Sequence, residues 1–321
     1  MQNLIVQSGQ KKLAEGLQYG QGSAFGTFGE LLQGVRNDND KDFLVTLPIA
    51  KFSHAAFTCI PTVDSLAIYP SNKLKSLNLA NNILRHYNLP AGGHLYIHSN
   101  LPIGKGFASS SADLVAVIRA ISDCFQIHIP LETAQSFLAE IEPTDGVMYE
   151  GVVSFYHREV ELCKFIGQLP PLSIVGIDEG GIVDTVEFNR IPKNFSSVDK
   201  VYYEELLKDL TIAIESGNEE AIGRVSTISA MMHQKIRPKR TLNHVLAICE
   251  EVKGLGIAIA HSGTCIGILL SNSDYQFHQK LAAAREKLSK HSKEVMVYHS
   301  WNTSSCQGHV HIREPIMGRS Y

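Results

Sequence analysis

Apolar residues recur at helical spacing most regularly between Ser110 and Phe125. There Leu114, Val117, Ile118, Ile121 and Phe125 fall at i, i+3, i+4, i+7 and i+11, which is one face of a helix. The same pattern predicts a helix over Asn72–Asn88, with Leu77, Ile83, Leu84 and Tyr87 available to bury, and another over Leu131–Ile141 after Pro130. Further helices are expected near Val201–Ile214, Glu219–Met232, Leu242–Lys253 and Tyr275–Leu288. Runs of β-branched and aromatic residues predict strands at Phe43–Ile60, His94–His98, Gly151–Tyr156, Leu172–Ile177, Ile182–Phe188, Gly256–Ala260, Cys265–Leu270 and Val295–Tyr298. The polar, Gly- and Gln-rich start, roughly the first 20 residues, reads as a loose lead-in.

Strands and helices mix without the regular alternation of a doubly wound parallel sheet, so the expected class is α+β with two lobes. A break is expected within 157–172, marked by Pro170-Pro171, which divides the chain into 1–165 and 166–321. The 321 residues suffice for two such domains. With 44% hydrophobic residues and a net charge of −3, the chain is neither disordered nor a dedicated nucleic-acid binder. Six dispersed cysteines without a C-x-x-C pair read as reduced thiols. With no signal-like N-terminus and no run near the ~20 apolar residues of a membrane span, a cytoplasmic protein is expected. Its partner should be a small molecule, with no nucleic acid or membrane, and its assembly a monomer or homodimer.

The chemistry concentrates in Leu101-Pro-Ile-Gly-Lys-Gly-Phe-Ala-Ser-Ser-Ser-Ala-Asp113, between a strand and the clearest helix. Gly104 and Gly106 let the backbone approach a ligand closely, and the positive end of the helix favours an anion such as phosphate. Lys105 adds a mobile charge, and the Ser109–Ser111 hydroxyls suit phosphate oxygens or a metal ion. Ser110-x-x-Asp113 is equally a capping box, which needs no ligand. No Gly-x-x-x-x-Gly-Lys-Ser/Thr is present, and Ser109 stands where a dinucleotide fingerprint needs its third glycine.

Pro102-Ile-Gly-Lys-Gly-Phe-Ala-Ser-Ser-Ser-Ala112 resembles the ATP-binding motif of the GHMP kinases, the superfamily of galactokinase, homoserine kinase and mevalonate kinase. Gly26-Thr-Phe-Gly-Glu-Leu-Leu-Gln-Gly34 resembles its N-terminal motif, and Ala260-His-Ser-Gly-Thr-Cys-Ile-Gly267 its C-terminal glycine loop. Within the superfamily, Gly-Glu-Leu-Leu-Gln-Gly, the loop lysine, Glu-Pro-Thr-Asp at 142–145 and Ala-His-Ser-Gly resemble the L-threonine kinases of bacterial cobalamin biosynthesis.

The resemblance implies an N-terminal ATP-binding domain over 1–165, a C-terminal domain over 166–321, and ATP and Mg²⁺ as cofactors. It implies ATP contacts from Pro102, Gly104, Lys105, Gly106, Ala108, Ser109, Ser110 and Ser111, with Ser110 and Glu142 on the metal. Asp145 corresponds to the aspartate that orients or deprotonates the acceptor hydroxyl, and Lys105 to the catalytic cation on the β/γ-phosphates. Glu30, Gln33, Asp145, Ser262, Gly263 and Thr264 are the expected acceptor-side residues. The stretch between the two acids is shorter than the family pattern, which leaves open which carboxylate does which job. Taken alone, Glu142 would read as a solvated helix-end acid, Asp145 as a turn former before Gly146, and His261 as a packed histidine.

Two groups of residues resemble metal clusters only weakly. His94 and His98 on one strand would stand ~13 Å apart. Cys306, His309 and His311 lack a fourth ligand. The expected activity is therefore phosphoryl transfer from Mg·ATP to a small alcohol, with L-threonine first, another hydroxylated metabolite second, and a non-catalytic ATP sensor as the reading from another class.

Overall fold

The computed structural model describes residues 17–181 and 195–303. The expected strand Ile182–Phe188 and the residues Cys306, His309 and His311 lie outside the described residues. The fold is α+β, with ten strands in one sheet among the described residues. In chain order, the first half contains β1 (Gln18–Val35), β2 (Asp42–Cys59), β3 (Leu66–Tyr69), α1 (Leu74–His86), β4 (Gly93–Ser99), α2 (Ser109–Phe125), α3 (Leu131–Ala139), β5 (Val152–Tyr156) and β6 (Glu161–Gly167). The second half contains β7 (Leu172–Asp178), α4 (Ser197–Glu215), α5 (Glu219–His233), α6 (Leu242–Glu251), β8 (Gly256–Ile259), β9 (Cys265–Ser271), α7 (Phe277–Leu288) and β10 (Val295–His299).

Across the sheet the strands run β10-β7-β9-β8-β1-β2-β4-β3, and β5 pairs with β2 and β6. Every pairing is antiparallel except β3 with β4. β1 stands at the centre. It pairs with β2 along most of its length but meets β8 through one pair, Glu30 with Ile259. Both strand groups of the sheet therefore converge on Glu30.

β7, β8 and β9 are covered on both faces, which is why they read as nearly continuous apolar runs. On β9, Ile266, Ile268 and Leu270 pack toward α6 and α7, whereas Cys265 and Leu269 join the larger core under the first half. In the first half, β4 alternates Leu95 and Ile97 inward with His94, Tyr96 and His98 outward, the period of a half-buried strand. α2 buries Leu114, Val117, Ile118 and Ile121 as its spacing requires, with Phe125 packed at the margin.

Sequence pattern did not find β1, β3 or β6. β3 has only four residues, and β6, a largely exposed strand, lies in the stretch read as a break. β1 is the instructive case. Its glycines argue against a strand, yet they are what lets α2 lie directly on it. A Cβ on Gly20 would sit 2.1 Å from the Cys124 nitrogen, and one on Gly22 would sit 2.2 Å from the Ala116 carbonyl oxygen.

Among the described residues Cys59, Cys124, Cys163, Cys249 and Cys265 are free thiols, and no helix is long and apolar enough to cross a membrane.

Gly22→Ala should lower unfolding stability by about 1–3 kcal/mol, the usual cost of overpacking a tight interface. Chemical denaturation measures this directly, and an unchanged midpoint would contradict the close seating of α2 on β1.

Candidate active site

Three glycine-bearing segments meet at the N-terminal end of α2. β1 breaks register with β2 between Phe25 and Gly26, between Thr27 and Glu30, and between Glu30 and Leu32. Such bulges turn backbone groups away from the ladder. Here the Thr27 N–H donates to the Phe107 carbonyl at 3.1 Å and the Gly29 N–H to the Gly106 carbonyl at 3.0 Å. Gly29 holds φ +56°, and a Cβ there would stand 2.2 Å from the Ile259 carbonyl oxygen, so no larger residue fits. From the other side the 260–264 loop presses on the same segment, since a Cβ on Gly263 would meet the Lys105 carbonyl oxygen at 2.0 Å. Phe28, Phe107 and Tyr298 pack beneath with ring centroids 5.1–5.7 Å apart. One aromatic cluster thereby ties the first motif, the phosphate-type loop and β10 together.

The loop delivers an open helix end. Ala108 precedes α2 in the left-handed conformation, φ +53°, and no side chain caps the helix. This strained position is held by its surroundings, as at many ligand sites. The Ser110-x-x-Asp113 capping box does not form. Asp113 is buried and instead accepts hydrogen bonds from the Ser53 hydroxyl and the Lys73 ammonium, each at 2.5 Å. With no acid in its first turn, the positive end of α2 is electrostatically suited to an anion.

The acidic residues converge beside it. The Ser110 hydroxyl donates to one Glu142 oxygen, and the other oxygen takes the Lys75 ammonium. The Glu142 side chain is only 9% exposed, so it is not the solvated helix-end acid it resembles in isolation. The tight turn to Asp145 is set by Thr144, whose hydroxyl bonds the Glu142 carbonyl and whose N–H bonds the His157 carbonyl, both at 3.0 Å. The Asp145 N–H then reaches the Ser111 hydroxyl at 3.1 Å. Successive serines of one helical turn thus meet the two ends of Glu-Pro-Thr-Asp.

Residues 73–152, which include α1, the loop, α2 and both acids, match the GHMP kinases N terminal domain. Two similar relatives are the L-threonine kinase of Citrobacter freundii, 26% identical over 275 residues (83% of this chain, 92% of the relative), and that of Salmonella typhimurium, 24% identical over 269 residues (82% and 87%). Among solved structures, homoserine kinase from Cytophaga hutchinsonii shares the fold with a TM-score of 0.70 at 17% identity, covering 94% of this chain and 98% of that one.

The other residues singled out in the sequence surround the same point. Pro102, Gly104 and Gly106 shape the loop, the two glycines at φ +69° and +89°. Lys105 turns toward β7, pairing with Asp178 at 2.6 Å and reaching the Gly181 carbonyl. The Thr264 hydroxyl also donates to Asp178. On β1, Gln33 is buried with its carbonyl oxygen 2.6 Å from His261 Nδ1, while its Nε2 has no hydrogen-bond partner. His261 packs between His157 and His233, ring centroids 5.1 and 5.4 Å away, and its carbonyl accepts from His233 Nε2. Ser262 is buried beside it.

Burial and like charge distort the acids. Burial, then the Asp145 charge, holds Glu30 well above the usual carboxylate range, and one Glu30 oxygen has no hydrogen-bond partner. Burial, then Glu142, pushes Asp145 up to about 6, against a lowering by the Ser111 hydroxyl. Asp178 goes the other way: burial opposes it, but Lys105, Thr264 and the Gly180 N–H outweigh that and lower it.

Sequence reasoning missed three groups. Lys75 lies on α1, which carried no motif. Asp178 ends a strand and is followed by Glu-Gly-Gly, a pattern that could have been flagged as a strand-end loop. Lys239 sits in a basic run that reads as solvated surface, yet it is buried with its ammonium 2.5 Å from the Gly263 carbonyl. Burial, then the nearby Arg237, depresses it to about 8. Among the described residues no cluster of three His, Cys, Asp or Glu could hold a metal by itself.

Folding raises Asp145 above its ordinary 3.8, so ionising it opposes folding, and its favourable contribution is lost as pH rises from about 4 through 6. Asp145→Asn should therefore raise the thermal midpoint of the nucleotide- and metal-free protein near pH 8, with the gain shrinking toward pH 4. A gain independent of pH would contradict the raised carboxyl.

Proposed function

We propose that this phosphotransferase with an alcohol acceptor is a Mg·ATP-dependent L-threonine kinase forming O-phospho-L-threonine. The observation that carries the reading is Asp145, a half-buried acid whose carboxyl is held above its ordinary range, joined through neighbouring serines to Glu142 at an uncapped helix end. The L-threonine kinase relatives, aligned over more than four-fifths of the chain, support the acceptor.

The donor set suits the cofactors. Glu142 and Ser110 offer hard oxygens, and Mg²⁺ needs only one or two protein ligands when phosphates complete its shell. Gly104, Gly106, Ala108 and the Ser109–Ser111 turn, with Pro102 and Lys105, would hold the polyphosphate on the α2 N-terminus. When bound, Mg·ATP supplies the phosphoryl group and the charge that stabilises its transfer.

The chain's own residues then handle the acceptor. Asp145 orients the hydroxyl and takes its proton as the phosphorus–oxygen bond forms. A raised carboxyl is a stronger base than an ordinary aspartate. The buried Glu30 oxygen without a partner suits an acceptor's ammonium, which would draw Glu30 into its ionised form. Gln33 Nε2 is an unused donor suited to the acceptor's carboxylate, and Ser262, Gly263 and Thr264 close the acceptor side through their N–H and hydroxyl groups.

The deciding experiment follows ADP release with Mg·ATP over a panel of small amino alcohols, with mass spectrometry of the product. Threonine-dependent ADP and phosphothreonine are expected. Turnover of another alcohol alone would keep the kinase and overturn threonine as its acceptor, whereas nucleotide binding without any transfer would favour a sensor. Asp145→Asn should lower kcat about 10²–10⁴-fold with nucleotide affinity nearly unchanged. Ser110→Ala and Glu142→Gln should instead raise the Mg²⁺ concentration needed for half-maximal rate, and wild-type Mg²⁺ dependence in both would remove them from the metal.

A further inference from the structure

Lys75 occupies a position that neither the loop motif nor the acceptor chemistry accounts for. Its ammonium bonds Glu142, whose other oxygen takes the Ser110 hydroxyl, so one lysine neutralises the pair of groups read above as metal ligands. The arrangement is built. Two residues earlier, Lys73 pairs at 2.5 Å with Asp113, a side chain 4% exposed that the Ser53 hydroxyl also holds at 2.5 Å. That buried pair fixes the start of α1 against α2 and aims Lys75 across the gap at Glu142. Lys73, Lys75, Ser110 and Asp113 help to line an open recess of about 140 Å³ here. Lys75 itself is half exposed, so its ammonium has room to move, unlike that of Lys73.

We propose that Lys75 is a resident counter-cation for Ser110 and Glu142, which makes metal loading depend on nucleotide and then transfers its ammonium to a nucleotide phosphate. The proposal rests on the reading of Ser110 and Glu142 as metal ligands. An ammonium and a divalent cation on one carboxylate repel each other, so Lys75 opposes metal arriving alone. When metal arrives with a polyphosphate, the displaced ammonium gains an anion beside it, and the repulsion is offset. Lysine suits this role because its charge sits on a long, flexible stem. The consequence is that Lys75 weakens binding of metal alone and strengthens binding of nucleotide, two effects of opposite sign from one side chain.

The test measures binding in the full chain, without turnover. Electron paramagnetic resonance titration with Mn²⁺ alone, and calorimetric titration with a non-hydrolysable ATP analogue in EDTA, are run on wild type, Lys75→Gln, Lys75→Arg and Glu142→Gln, each checked for native circular dichroism. Lys75→Gln is expected to bind Mn²⁺ alone about two- to fivefold more tightly and the metal-free analogue about two- to fivefold more weakly, in the range for a partly exposed charge pair. Lys75→Arg, which keeps the charge, should stay close to wild type in both. A structural defect would not tighten Mn²⁺ binding, so unchanged or weaker Mn²⁺ affinity in Lys75→Gln overturns the proposal. If Glu142→Gln retains wild-type Mn²⁺ affinity, the metal-ligand reading falls and the proposal falls with it, an outcome distinct from failure of Lys75→Gln alone.

Discussion

Two backbone hydrogen bonds, from Thr27 and Gly29 on the bulged strand to Phe107 and Gly106 in the loop, hold the site together. In a regular β1 those N–H groups would point into a sheet ladder or away from the loop. The register breaks free them, and the glycine at position 29 allows the approach. The loop is thereby carried on the central strand of the sheet. A loop held this way can keep Ala108 in a strained conformation and leave the helix end uncapped, because the surrounding structure determines both.

That anchoring brings carboxyl groups closer than water would allow without cost. Glu30 and Asp145 are each raised by burial and by a neighbouring acid, while Asp178 is lowered by Lys105 against its burial; Glu142 is paired with Lys75. The distinction follows from location. Glu142 and Asp178 each face a lysine, whereas Glu30 faces the Asp145 charge and Asp145 the Glu142 charge, with no cation among the described residues bonded to either. Raised acids are the ones able to accept a proton or to respond to an arriving ammonium group near neutral pH. The stability lost there is characteristic of sites arranged for a ligand that supplies the missing charge.

Much of the architecture was legible along the chain because helix and strand periods record which faces are buried. The spacing of Leu114, Val117, Ile118 and Ile121 located α2 to within a residue, and the apolar runs located β7 and β9. β1 stayed hidden because its glycines carry no periodicity: they answer to the backbone of α2, which lies a hundred residues away. Of the site, the loop stood out as a local grouping, and the Glu-Pro-Thr-Asp stretch through its family resemblance. Lys75, Asp178 and Lys239 did not, since each acts on a partner distant in sequence and looks like ordinary surface charge in its own neighbourhood.

The sequence by itself determined the helix–strand mixture, the glycine and serine chemistry of the loop, and the presence of two acids one turn apart. These are properties of neighbouring residues, and local sterics and periodicity are enough to express them. Only the tertiary structure decided that Asp113 anchors Lys73 instead of capping its own helix, that Lys105 faces Asp178, and that Glu30 lies where both strand groups meet. Desolvation and charge pairing depend on what packs around a group. Those neighbours are chosen by the sheet order and by the close seating of α2 on β1, which no local pattern encodes.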